Sequence, residues 1–310
     1  MLWMRLKVFF TFVSLSSAQT TPGPQLVDAL KAEGNFGIFV DLLQASGYLD
    51  KLNVSTHFTV FAPTDAAFAK LPAGTVDSLK ADANKLADVI GYHVILNSAF
   101  NLNNNQDRVL TSANNHSIRI NTYSVVHTQT AEGVNITKKN VRVLHGILHE
   151  INGVLSPPAG NIIELGSSRS DISTFESLVA QANLTTFFTN DHSTTIFVPN
   201  NDAFKKVSQP VLDYLSSHPS DLAEVLKYHV IKQYSLYSIG MAHSLSLPSG
   251  DQHKDYLMIL QESNGDLKVN AAKILEKDIS SVNGVVHIID TVLIPPRVTV
   301  AIEDQGVIVG

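Results

Sequence analysis

Residues 57–68 read His57-Phe58-Thr59-Val60-Phe61-Ala62-Pro63-Thr64-Asp65-Ala66-Ala67-Phe68, and the pattern is a strand that turns directly into a helix. Phe58, Val60 and Phe61 have the density of strand formers expected of a buried strand. Pro63 cannot donate to a ladder and ends it. Thr64 or Asp65 can cap the N–H groups of the helix that begins at Ala66. Later the chain reads Thr195-Ile196-Phe197-Val198-Pro199-Asn200-Asn201-Asp202-Ala203-Phe204. Phe61, Pro63, Ala67 and Phe68 thus recur as Phe197, Pro199, Ala203 and Phe204, 136 residues on.

The duplication extends in both directions. Phe39 corresponds to Phe175 at the same shift. Leu86, Val89, Ile90 and His93 share one helical face and recur as Leu222, Val225, Leu226 and His229. Seven of the ten residues 86–95 are identical in 222–231, including Tyr92-His93 and Tyr228-His229. Each copy closes on a hairpin signal, His145-Gly146 in the first and Asn283-Gly284 in the second. The Asn-Gly pair predicts a turn in which both residues take positive φ. Strands are expected around Ile118-Arg119-Ile120 and from Tyr256 to Leu260, with turns at Gly133 and Asn264-Gly265. A period of this size is too long for a solenoid, whose repeats run roughly 20–50 residues. The reading is two tandem α+β domains, at 25–158 and 161–298, joined near Ala159-Gly160, with a short tail at 299–310.

Composition agrees with two packed domains. The chain has 310 residues, 44% hydrophobic and 16% charged, and no cysteine. Arg5 and Lys7, an apolar run from Val8 to Leu15, and the small residues Ser16, Ser17 and Ala18 predict a signal peptide over 1–18 and an extracellular product. Its removal leaves (22 − 2) − 28 = −8 formal charges, an acidic balance without a basic run, which disfavours nucleic acid. Glu303 and Asp304 interrupt the C-terminal apolar stretch, so neither a membrane span nor a lipid-anchor signal is expected there.

The two boxes, at 59–68 with 146–155 and at 195–204 with 283–293, each separated by a Tyr-His pair, resemble the fasciclin (FAS1) domain. The resemblance covers residues 25–296 in two copies. It implies that each domain is a wedge-like β-sandwich with helices packed against it. It also implies a secreted, non-enzymatic adhesion module, similar to a shortened member of that family's matrix proteins. The partners implied are integrin-like cell-surface receptors or matrix proteins. An Asp-Ile pair and a Tyr-His segment have been tied to integrin binding in animal matrix members. Carried over, these are Asp278, Ile279, Tyr228 and His229. The first copy departs from the pattern, with Asn140-Val141 for Asp278-Ile279, His145 for Asn283 and Asn152 for Asp290.

These residues also have plainer readings. His93 and His229 lie on apolar helical faces, and His287 shares a strand face with Val285 and Ile289, the pattern of hydrogen-bonded core histidines. Tyr228-His229 reads equally as a helix end. Ile279 suits a core position, and Asp278 suits a turn N–H. The twelve histidines show no third ligand for a metal, and no cofactor is expected. His149-Glu150 lacks the second histidine of a zinc-protease helix, since Gly153 stands there. No nucleophile elbow, phosphate loop or dinucleotide motif is present in the sequence, so a hydrolase ranks behind a binder of a small apolar ligand or glycan. Asn53, Asn115, Asn135 and Asn183 each begin an Asn-x-Ser/Thr glycosylation sequence.

Overall fold

A computed structural model describes residues 24–102, 107–190 and 193–308; the expected signal peptide lies outside them. The first domain carries β1 (Phe58–Pro63), β2 (Val94–Leu96), β3 (Arg108–Thr111), β4 (Ser117–Tyr123), β5 (Thr128–Ala131), β6 (Val134–Val143) and β7 (Gly146–Ile151). They are ordered β2-β1-β7-β6-β5-β4-β3. The second carries β8 (Thr194–Pro199), β9 (Val230–Lys232), β10 (Leu245–Pro248), β11 (Tyr256–Gln261), β12 (Leu267–Val269), β13 (Ala272–Ser281) and β14 (Gly284–Ile289). Their order, β10-β11-β12-β13-β14-β8-β9, is the same topology. In each domain one pairing is parallel, β1 with β7 and β8 with β14; the other pairings are antiparallel, so both sheets are mixed.

The opening stretch is the centre of its domain because it is buried on both faces. Every residue of β1 and of β8 is buried. Phe58, Val60 and Ala62 pack toward the helices, among Phe39, Leu43 and Ile90. Phe61 points the other way, among Tyr92, Ile118, Ile120 and Ile151. Thr64 caps the short helix Asp65–Phe68 by accepting from the N–H of Ala67. Asp65 does something the sequence reading missed: its carboxylate accepts from Gly37 and Ile38, at 3.1 and 2.8 Å, at the N-terminus of helix Gly37–Ala45. Asn201 repeats the device on Thr174 at 2.9 Å.

The long strands β6 and β13 bend at irregularities in pairing, where Asn140 and Asp278 take φ of 60° and 63°. A bulge of this kind re-aims a strand. Here it lets one strand serve the helix-covered half of the sheet at one end and the outer half at the other.

Two expectations need correction. The closing turns are not built on positive φ at Asn283-Gly284. Ser281 pairs with Gly284 and Val143 with Gly146, so the turns are Val282-Asn283 and Leu144-His145, and of these four only His145 has positive φ (64°). The glycines answer to close approach instead. A Cβ on Gly284 would lie 1.9 Å from the carbonyl oxygen of Thr194, and one on Gly146 would lie 2.3 Å from the Phe58 ring. Gly284→Ala is therefore expected to cost about 1–3 kcal/mol in a urea titration, through forced separation of β14 from β8. The second correction concerns the expected tail: Pro296–Glu303 is a helix, and its Val298 and Ile302 are buried in the second core. A fragment cut at 298 loses Ile302 from that core.

Candidate functional site

His229 ends helix Pro219–Tyr228 and is fully buried. Its Nδ1–H donates to the Val225 carbonyl at 2.7 Å, and its Nε2 accepts from the Leu293 N–H at 3.0 Å. His93 repeats both bonds, with Val89 at 2.8 Å and Leu155 at 2.9 Å. The strand histidines form a second pair. His149 donates from Nε2 to Phe100 at 3.0 Å and accepts from Asn140 N–H at 3.2 Å. His287 does the same with Leu236 at 2.9 Å and Asp278 N–H at 3.3 Å. These two rings stack on Phe61 and Phe197, at 5.3 and 5.6 Å between centroids. With one nitrogen donating and the other accepting, each imidazole must be neutral. Burial holds His93, His149 and His229 down to about 4 and lowers His287 as well.

The structure therefore separates the four expected contact residues. His229 is sealed in the core and Tyr228 is 3% exposed, its hydroxyl donating to the Tyr256 carbonyl at 3.1 Å. Ile279 is half-buried and packs against the second core. Asp278 is likewise half-buried, and its carboxylate is already engaged. That carboxylate accepts from the N–H of Ser238 at 2.6 Å and also from its hydroxyl. Asn140 fills the same place in the first domain, accepting from Leu102 N–H at 2.8 Å. His229→Ala is expected to cost on the order of 2–4 kcal/mol, because it opens a cavity and strands the Val225 carbonyl and Leu293 N–H. Thermal unfolding checks this; an unchanged melting temperature would overturn it.

Of the four glycosylation sequences, Asn53, Asn115 and Asn183 are exposed, and Asn135 is half-buried within β6.

A polar centre that sequence reasoning missed lies between the domains. Arg119 on β4 and Glu132 in the turn after β5 form an ion pair at 3.4 Å with both side chains 3% exposed. Arg119 also donates across the joint to the carbonyls of Ser281 and Val282. Glu132 accepts from the Tyr237 hydroxyl at 2.7 Å. Burial, with the Glu132 carboxylate adding to it, pushes the Tyr237 phenol well above its ordinary value. Two aromatic rings interlock reciprocally. Tyr237 lies on Gly133, and Tyr123 lies on Gly240, where a Cβ would stand 2.2 and 2.3 Å from the rings. The Tyr123 hydroxyl accepts from Tyr237 N–H at 3.0 Å and donates to Ser235 at 3.3 Å. The available signal was a charged residue between two core isoleucines, Ile118 and Ile120, with no charged counterpart in the other copy.

The molecule is thus a pair of like α+β domains fastened by a buried polar joint. The family model described as Fasciclin domain matches residues 34–157 and again 170–295, so the chain belongs to the fasciclin-domain family as a tandem pair. It is 29% identical over 244 residues to transforming growth factor-beta-induced protein ig-h3 of Sus scrofa, a match covering 77% of this chain and 35% of that protein. It is 26% identical over 265 residues to periostin of Homo sapiens, covering 83% and 30%. It is 25% identical over 296 residues to fasciclin-like arabinogalactan protein CTB11 of Cercospora beticola, covering 88% and 76%. The chain spans about a third of the length of the first two. A solved FAS1 domain pair from the insect cell adhesion molecule Fasciclin I aligns with TM-score 0.40 at 20% identity, over 86% of this chain and 99% of that one. No described helix is long and apolar enough to cross a membrane.

Proposed function

We propose that this chain is a secreted, non-enzymatic adhesion protein whose two fasciclin domains bind cell-surface receptors or matrix molecules. The family match over both halves of the chain carries this reading, together with the relationship to ig-h3 and periostin. The buried joint supports it physically, since a fixed pair of domains offers a preorganised surface and loses little orientational freedom on binding. Among the sequence-derived contact residues, Tyr228 and His229 are buried while Asp278 and Ile279 are half-buried, and of these two Asp278 carries the oxygens that a cation could take. A receptor-bound cation would have to draw its carboxylate away from Ser238, and hard divalent ions prefer such charged oxygens to an amide.

The test is cell attachment to the full chain, with and without a divalent-ion chelator, beside Asp278→Asn. Asn140 already holds the equivalent bend in the first domain, so Asp278→Asn is expected to leave the melting temperature within a few degrees of the parent. Attachment is expected to fall severalfold. Undiminished attachment removes Asp278 from the site, and no attachment by the parent removes the adhesion reading. The alternative of a small apolar ligand finds weak support. The apolar groove bordered by Leu178, Phe204, Leu215, Leu226 and His229 has about 40 Å³, whereas drug-sized ligands occupy pockets of roughly 300–1,000 Å³.

A further inference from the structure

The first domain carries a cleft of about 320 Å³ bordered by Gln25, Leu52, Asn53, Phe58, Leu144 and His145. The two copies diverge at this place. In the second domain the turn residue Asn283 is 2% exposed. Its amide donates to the Phe188 carbonyl at 2.6 Å and accepts from the Ser281 hydroxyl at 3.1 Å, which stitches the closing turn to helix Thr185–Thr189. In the first domain His145 takes the place of Asn283 and is exposed, with φ of 64°. Leu52 stands for Phe188, and Asn53 for Thr189. The stitch is lost, the smaller Leu52 fills less space, and the cleft opens between the turn and helix Tyr48–Val54. Asn53 is exposed at its rim, and Asn53-Val54-Ser55 is an acceptor sequence for N-glycosylation. The second domain has no such sequence at Thr189.

We infer that Asn53 carries an N-linked glycan whose first N-acetylglucosamine seats in this cleft, where it stands in for the stitch that the second domain makes with its own side chains. The inference rests on the secreted reading above, because the transfer takes place on the secretory route. The bond formed runs from Asn53 Nδ2 to the anomeric carbon of a lipid pyrophosphate-linked oligosaccharide. The carbon–oxygen bond to pyrophosphate breaks, the lipid pyrophosphate leaves, and one amide proton is lost to a base. The lining suits the guest. Leu144 is half-buried, with the buried Leu26, Leu52 and Phe58 behind it, and this gives an apolar wall for a ring face and the acetyl methyl. Gln25 and His145 are exposed at the rim, where they meet hydroxyls and the acetamide. The volume lies at the lower end of the roughly 300–1,000 Å³ of small-molecule pockets. A tethered sugar needs little affinity of its own, since the covalent link supplies a high effective concentration.

The experiment expresses the full chain in a eukaryotic cell line that makes high-mannose glycans, with mass spectrometry of the four acceptor sequences and melting temperatures of the purified protein. Asn53 is expected to be occupied. Trimming every glycan to its first N-acetylglucosamine should leave the melting temperature unchanged, because that sugar alone fills the cleft. Asn53→Gln, at an exposed position, should fold but melt at least about 2–4 °C lower. Thr185→Ala, which removes the acceptor sequence at Asn183 without altering that asparagine, should not. His145→Ala should lower the melting temperature more in the sugar-bearing protein than in Asn53→Gln, a coupling that a merely solubilising glycan does not produce. An Asn53→Gln protein that melts with the parent overturns the inference, and so does a bare Asn53. If Asn115 and Asn183 are occupied while Asn53 is bare, the secreted reading survives. If all four are bare and the chain stays inside the cell, both fall.

Discussion

Lowering the pH from about 7.5 to about 5 is expected to remove much of the stability of both domains. Unfolding exposes imidazoles to water, where their ordinary pKa is 6.5, whereas folded His93, His149 and His229 resist protonation to about 4. Above 6.5 both states are neutral and the contribution is fully present. Between 6.5 and 4 the unfolded chain takes up protons that the native chain refuses, so stability falls with pH. Each ring costs about 1.4 kcal/mol per pH unit in that window, or roughly 2 kcal/mol at pH 5. His93 and His149 belong to the first domain and His229 to the second, so the loss is on the order of 4 kcal/mol in the first and about 2 kcal/mol in the second, against total stabilities of roughly 5–15 kcal/mol for a domain. His287 is lowered in the same direction and adds to the loss. The cause is geometric as well as dielectric, because a protonated ring must break the bond it accepts, from Leu155, Asn140, Leu293 or Asp278. Urea midpoints at the two pH values check this. Equal midpoints would mean that the rings charge without cost.

Arg119→Ala is expected to cost about 3–5 kcal/mol, because it leaves Glu132 buried without its cation and strands the Ser281 and Val282 carbonyls. The parent should unfold in one transition, with both domains melting together through the joint. In the variant the transition should split in two. The protein contains its own remedy. Met258 and Asn270 occupy the positions of Arg119 and Glu132 in the second domain, where the Asn270 side chain accepts from Met258 N–H at 2.8 Å, as Glu132 accepts from Arg119 N–H at 2.7 Å. The double variant Arg119→Met with Glu132→Asn keeps that backbone bond without buried charge, and should recover more than half of the loss. Calorimetry of the three proteins decides. A single unchanged transition in Arg119→Ala would show that the ion pair holds nothing together.

The fold was legible because duplication marked what the core requires. Phe61 and Phe197, Leu86 and Leu222, and His93 and His229 recur because each domain packs them against the same neighbours. The glycines at 146 and 284 were legible as positions but not in purpose: a one-dimensional pattern shows a turn nearby and cannot show the Phe58 ring or the Thr194 carbonyl that forbids a side chain. The joint was illegible for the converse reason. Arg119, Glu132, Tyr123 and Tyr237 have no repeated partners, and the one trace they leave is Arg119 itself, a charge set between Ile118 and Ile120. Asp278 reads from the sequence as a strand-end residue suited to a turn N–H; it lies instead within β13 at the irregularity, and the Ser238 that holds it is 40 residues away.

The joint also has a direction. The first domain offers Arg119, Glu132 and Gly133, and the second answers with Tyr237, Gly240 and two turn carbonyls. At the matching strand positions of the second domain stand Met258 and Asn270, with Met258 51% exposed. The two modules are therefore not interchangeable beads. A gene rearranged to encode them in reverse order would set Met258 against the joint and leave Arg119 and Glu132 at the outer end, so the order of the two halves is written into the side chains that meet at the joint.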